Sequence, residues 1–70
     1  MFSEVIKGVR KSCYLSQQDF AKEIGVSFST VNRWETEKTM PNYKAMQKID
    51  EFCKKRGIDL KEKMVEDSND

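Results

Sequence analysis

The stretch from Ser27 to Arg33, SFSTVNR, packs short hydrogen-bonding side chains closely together. If this stretch is helical, Val31 and Trp34 mark one side, and Phe28, Ser29, Asn32 and Arg33 fall on the opposite one. That outer set has a definite chemistry. A guanidinium such as Arg33 donates two parallel hydrogen bonds to the O6 and N7 acceptors of guanine, and an amide such as Asn32 pairs with adenine. A hydroxyl such as Ser29 serves either base. Phe28 has two readings, contact with a thymine methyl or cover for the crevice between neighbouring helices. Ser27 stands at the helix start, as N-cap and as part of the same face. Thr30 reads as a helix-interior hydroxyl or a phosphate contact.

A face like this needs a scaffold, and the residues just before it supply one. Ser16 is placed to cap a helix, with Asp19 three residues on, near the positive end of the helix dipole. Leu15 and Phe20 are spaced as a hydrophobic staple, and so are Val26 and Val31. Phe20, Ala21 and Ile24 recur at helical intervals. Gly25 is suited to the left-handed turn that ends one helix before the next. The spacing predicts helices over about 17–24 and 28–35, joined by a tight turn.

On either side the same periodicity continues. Phe2, Val5, Ile6, Val9 and Cys13 predict a helix over about 3–12, with Ser3 as a possible N-cap. Asn42 is a good N-cap for a fourth helix carrying Ala45, Met46, Ile49, Phe52 and Cys53, with Lys54, Lys55 and Arg56 at its C-terminal end and Gly57 beyond. Asp59 and Glu62 open a fifth short helix with Leu60 and Met64. No stretch alternates like a strand. The expected fold is all-α, a compact bundle of four or five short helices. Residues 1–58 form the helix-turn-helix domain, and residues 59–70 a short helix and an acidic tail.

Taken together, Leu15, Ser16, Gln17, Phe20, Ala21, Ile24, Gly25, Val26, Ser27, Val31, Trp34, Glu35 and Pro41 resemble the XRE family, the Cro and lambdoid-repressor type of regulator. With its flanking helices the likeness covers about residues 3–56. It is specific because caps, staples, turn glycine and buried positions agree at once. The resemblance implies a sequence-specific binder of double-stranded DNA, a repressor working as a dimer with its third helix in the major groove. It implies base contacts from Ser27, Phe28, Ser29, Asn32 and Arg33, and phosphate contacts from Gln17 and Asn42. It also implies an ion pair between Arg10 and Glu35. Thr30, Lys38 and Lys44 are further candidates for phosphate.

One position departs from the pattern. The family usually carries glycine two residues after the glutamate, and this chain has Glu37. A residue with a Cβ pays about 1 kcal/mol or more to turn left-handed. The loop is therefore expected to take another path, or the helix to end later, which bears on Thr36 and Lys38.

Charge is modest overall, at +1, but unevenly spread. Residues 1–58 hold eleven Lys or Arg against seven Asp or Glu, +4, and residues 59–70 hold two against five, −3. A basic face suffices to attract phosphate. The chain has no histidine and two cysteines, Cys13 and Cys53, on apolar faces of expected helices. They read as small buried hydrophobes rather than zinc ligands, with a disulfide left open. No cofactor or metal is expected. With no histidine, no paired carboxylates, no glycine-rich phosphate loop and no nucleophile beside a base, an enzyme is not expected either. No run approaches the roughly 18–20 apolar residues of a membrane span, and the amphipathic N-terminus lacks a signal-like core, so the cytoplasm is the expected location. Leu60, Met64 and Val65 are candidates for a homodimer contact, or else cover the bundle. Two other functions remain open on the sequence. One is an antitoxin, or the DNA-binding part of a larger protein. The other is a helical interaction module without DNA binding.

Overall fold

A computed structural model describes residues 2–63. Four helices follow in order: α1 over Phe2–Ser12, α2 over Gln17–Ile24, α3 over Phe28–Glu35 and α4 over Tyr43–Lys55. A further helical turn covers 60–63. No strand occurs among the described residues, so the class is all-α, as the periodicity required.

Local chemistry sets most of the boundaries. The Ser16 hydroxyl accepts the Asp19 N–H, the Ser27 hydroxyl accepts the Thr30 N–H, and the Asn42 side chain accepts the Ala45 N–H. Each cap satisfies a backbone donor that has no partner within its helix. Gly25 ends α2 with φ 76°, and its N–H bonds the Ala21 carbonyl. Gly57, with φ 72°, follows the cap of α4. The Ile58 N–H then reaches the Cys53 carbonyl at 2.8 Å. Asp59 caps the last turn by accepting the Glu62 N–H at 3.1 Å.

One feature of α1 differs from the expectation. Ser3 is not an N-cap. It lies inside the helix, which begins at Phe2, and it is buried. At the other end, a residue other than glycine makes the left-handed turn. Tyr14 has φ 59°, and the Leu15 N–H bonds back to the Arg10 carbonyl at 3.2 Å. That bond is what a helix-ending αL turn provides, whichever residue makes it.

The core draws on every element. Ile6, Val9, Phe20, Val31, Ile49 and Cys53 are fully buried, and Trp34, Phe52 and Leu60 nearly so. Phe20 of α2 meets Phe52 of α4 edge to face, with ring centroids 5.2 Å apart. The Arg56 guanidinium lies over the Phe52 ring, 4.9 Å from its centroid. Burying a side chain of this size contributes about 1.5–3 kcal/mol, so a few of them decide whether so short a chain folds. α3 packs between α1 and α2, and α2 also packs on α4. The recognition-type helix is thus gripped on its apolar side by two partners while its other side stays open.

Candidate nucleic-acid interface

α3 separates its two faces cleanly. Val31 and Trp34 are buried, whereas Ser29, Asn32 and Arg33 are exposed and Phe28 is half exposed at 52%. About half of the Phe28 surface is thus covered and half faces solvent. The hydroxyl of Ser27 is engaged locally. It accepts from the Thr30 N–H at 3.2 Å and lies 2.8 Å from Thr30 Oγ1 and 3.2 Å from Ser29 Oγ. Its capping role is thus explicit, and it ties three hydroxyls together at the helix N-terminus.

Beside α3 runs a groove of about 380 Å³ formed with the start of α4. Thr30, Asn42 and Lys44 all line it, so three of the candidate phosphate residues come together across two elements. Lys48 lines it too and was missed in the sequence reading. The signal was there, since Lys48 follows Lys44 by one helical turn. Its Nζ stands 3.7 Å from where a Cβ on Gly25 would lie, at the C-terminal end of α2, whose dipole favours a cation. Lys38 is exposed but lies outside this groove.

Under the other end of α3 lies an ionic network. Arg10 donates from Nε to Glu35 Oε2 at 2.7 Å and from Nη2 to Oε1 at 2.9 Å, while Nη1 donates to the Leu15 carbonyl at 2.9 Å. Gln17 donates from Nε2 to Glu35 Oε1 at 3.0 Å. The two charged side chains are only 12% and 2% exposed. Burial would push the Glu35 carboxyl up, but hydrogen bonds from Arg10 and Gln17, aided by the charges of Arg10 and Lys7, hold it below the usual carboxylate range. Arg10 moves upward, chiefly through its hydrogen bond to Glu35. The pair thus joins α1, α2 and α3 at one point, and Gln17 belongs to it.

A family model described as helix-turn-helix matches residues 6–60, most of the chain. This chain belongs to the XRE family of helix-turn-helix regulators. No curated protein and no solved structure matches it. As a member of a DNA-binding regulatory family, not a catalytic one, it is a helix-turn-helix regulator that binds double-stranded DNA.

Against the XRE pattern, the Glu37 departure resolves differently from expectation. The chain neither lengthens α3 nor takes another path. α3 ends at Glu35, Glu37 itself turns left-handed with φ 63°, and the Lys38 N–H bonds the Arg33 carbonyl at 2.9 Å. A partner remote in sequence helps: Ser3 Oγ donates to Glu37 Oε2 at 2.9 Å. Nothing local could have revealed a contact between residues 34 positions apart.

Leu60, a candidate dimer residue, is 4% exposed and belongs to the core of its own chain; its side chain is not available to a second copy. Met64 and Val65 lie outside the described residues. Cys13 and Cys53 are free thiols. Burial, with Asp50 nearby, pushes the Cys53 thiol up to about 11, so it is a protonated, inert part of the core. Among the described residues no cluster of potential metal ligands occurs, and no helix is long and apolar enough to cross a membrane.

Proposed function

We propose that this regulator reads a specific duplex sequence as a dimer, with α3 in the major groove, and represses by covering its site. The carrying observation is the exposed row of Ser29, Asn32 and Arg33 on the side of α3 opposite Trp34. An eight-residue helix held from behind by two others can enter a groove without losing its own packing. Arg33 and Asn32 carry base discrimination, Ser29 assists, and Phe28 offers its ring to a thymine methyl. Ser27 sets the entry of the helix through its cap and reaches the bases with its first turn.

Phosphates flank that helix on two sides. On one, Thr30, Asn42 and Lys44, joined by Lys48, address the backbone from the groove between α3 and α4. On the other, the N-terminal turn of α2 presents backbone N–H groups together with Gln17. One N–H of the Gln17 amide goes to Glu35, which leaves the second for a phosphate oxygen. Lys38 adds charge from the loop after α3.

Dimerisation follows from size. A single module of this kind buries only about 600–1,000 Å² on DNA, and two copies spaced about 34 Å apart would supply the rest. With Leu60 committed to the core, the dimer contact falls on other residues. A domain seated on its site excludes any other protein from the same base pairs, the simplest route to repression, and it would do so in the cytoplasm.

The test is selection of bound duplexes from a random double-stranded pool, with Arg33→Ala in parallel. An enriched inverted repeat whose preference the variant relaxes at one position supports dimeric major-groove reading. A pool that stays random at low salt, with folded protein, refutes it.

A further inference from the structure

Glu37 places a carboxylate in the loop directly after α3, between Thr36 and Lys38, where the proposed DNA-binding mode brings the chain close to phosphate. Among the described residues it is also one of two non-glycine residues with a left-handed backbone, at φ 63°. Its side chain does not extend freely. Oε2 accepts the hydroxyl of Ser3 at 2.9 Å, and Ser3 is a buried residue of α1, 5% exposed. α1 packs on α3, whose buried side carries Val31 and Trp34 and whose exposed side carries Asn32 and Arg33. The contact therefore turns the Glu37 carboxylate toward α1 and away from the side that carries Asn32 and Arg33.

We propose that Ser3 and Glu37 form a clasp that holds this negative charge off the DNA-facing side of the loop, making Glu37 a positioning residue for phosphate approach. The inference rests on the DNA-binding reading. Ser3 contributes no charge and contacts no DNA. It acts only through where it keeps Glu37. Released, the carboxylate swings on its two-carbon arm within a Debye length, about 10 Å at 0.1 M salt, of the phosphates that Lys38 approaches. There it opposes binding.

A four-protein set tests this: wild type, Ser3→Ala, Glu37→Gln, and the two changes combined. The probe is a labelled mixed-sequence duplex longer than one helical turn. Both Ser3→Ala proteins lose the same hydrogen bond, so any purely structural effect is common to them, and thermal melts check that all four are folded. Only Ser3→Ala alone leaves a free charge. It is expected to bind about two- to fivefold more weakly than wild type at about 50 mM salt, the size of one screened charge near phosphate. The double variant is expected to return to the affinity of Glu37→Gln, and the gap between the two Ser3→Ala proteins to narrow as salt rises toward about 200 mM. A double variant as weak as Ser3→Ala, or Ser3→Ala binding like wild type, overturns the clasp while leaving DNA binding intact. Wild type that fails to bind the duplex at low salt overturns the DNA-binding reading itself, and the clasp falls with it.

Discussion

Arg10 on α1 holds both carboxylate oxygens of Glu35 at the end of α3, at 2.7 and 2.9 Å. Both side chains are largely shielded from water, so removing the cation leaves a buried, unpaired anion. Arg10→Met is expected to cost about 3–5 kcal/mol, most of the stability a domain this small has. The position lies behind α3, so whatever protein remains folded keeps its base preference. Thermal melts of the two proteins check this, and equal midpoints would dismiss the structural role of the pair.

The same pair gives a pH dependence. Glu35 has its folded-state pKa lowered, net of a burial penalty that works the other way. Its contribution is thus fully present above the ordinary carboxylate range. It is lost as the pH falls below that range and through the lowered folded value. Urea midpoints measured down an acid series should fall in wild type, and more gently in Glu35→Gln, which has no carboxylate to protonate at that position. Parallel slopes would assign acid sensitivity to other carboxylates.

Arg33 and Lys48 are expected to fail differently. Arg33→Ala should weaken a selected site by about 1–3 kcal/mol and relax preference at one base pair. Lys48→Ala should weaken all duplexes alike and reduce the salt slope by about one. Both are exposed, so melting temperatures should barely move. Titrations over a salt series against matched and mismatched duplexes separate the two. A base-specific effect at Lys48 would contradict its assignment to the backbone.

Tyr14 combines a left-handed backbone at φ 59° with a side chain 96% exposed. Glycine there relieves the Cβ penalty and gives up almost no packing, while its freedom in the unfolded chain takes some of the gain back. Tyr14→Gly should stabilise by about 0.5–1 kcal/mol. Glu37→Gly has the same backbone benefit but loses the Ser3 hydrogen bond, worth about 1 kcal/mol, and should come out near neutral. Chemical denaturation of both variants measures the contrast, and a loss of stability in Tyr14→Gly would count against strain at that turn.

Cys53 is fully buried and its thiol is pushed up to about 11, whereas Cys13 is partly exposed. A thiol reagent at neutral pH should label Cys13 in the folded protein and reach Cys53 only on unfolding. Equal labelling rates, read by mass spectrometry, would show that the α4 face is open.

What the residues determined alone is what depends on near neighbours. Ser16, Ser27 and Asn42 cap backbone groups within three positions, and Gly25 turns its own backbone, so α2, α3 and the start of α4 were legible in the order of residues. The outer face of α3 was legible too, because helical period assigns Val31 and Trp34 to one side and Asn32 and Arg33 to the other. The Arg10–Glu35 pair came through the family resemblance rather than from spacing. Tertiary structure decided the rest. It placed Leu60 in the core, turned Ser3 from a cap into a buried partner of Glu37, tied Gln17 to Glu35, and brought Lys48 into one groove with Thr30, Asn42 and Lys44. Each of these relationships joins groups on different elements. Helical period fixes the side of a helix on which a residue lies, but which residue it meets there depends on how the helices pack.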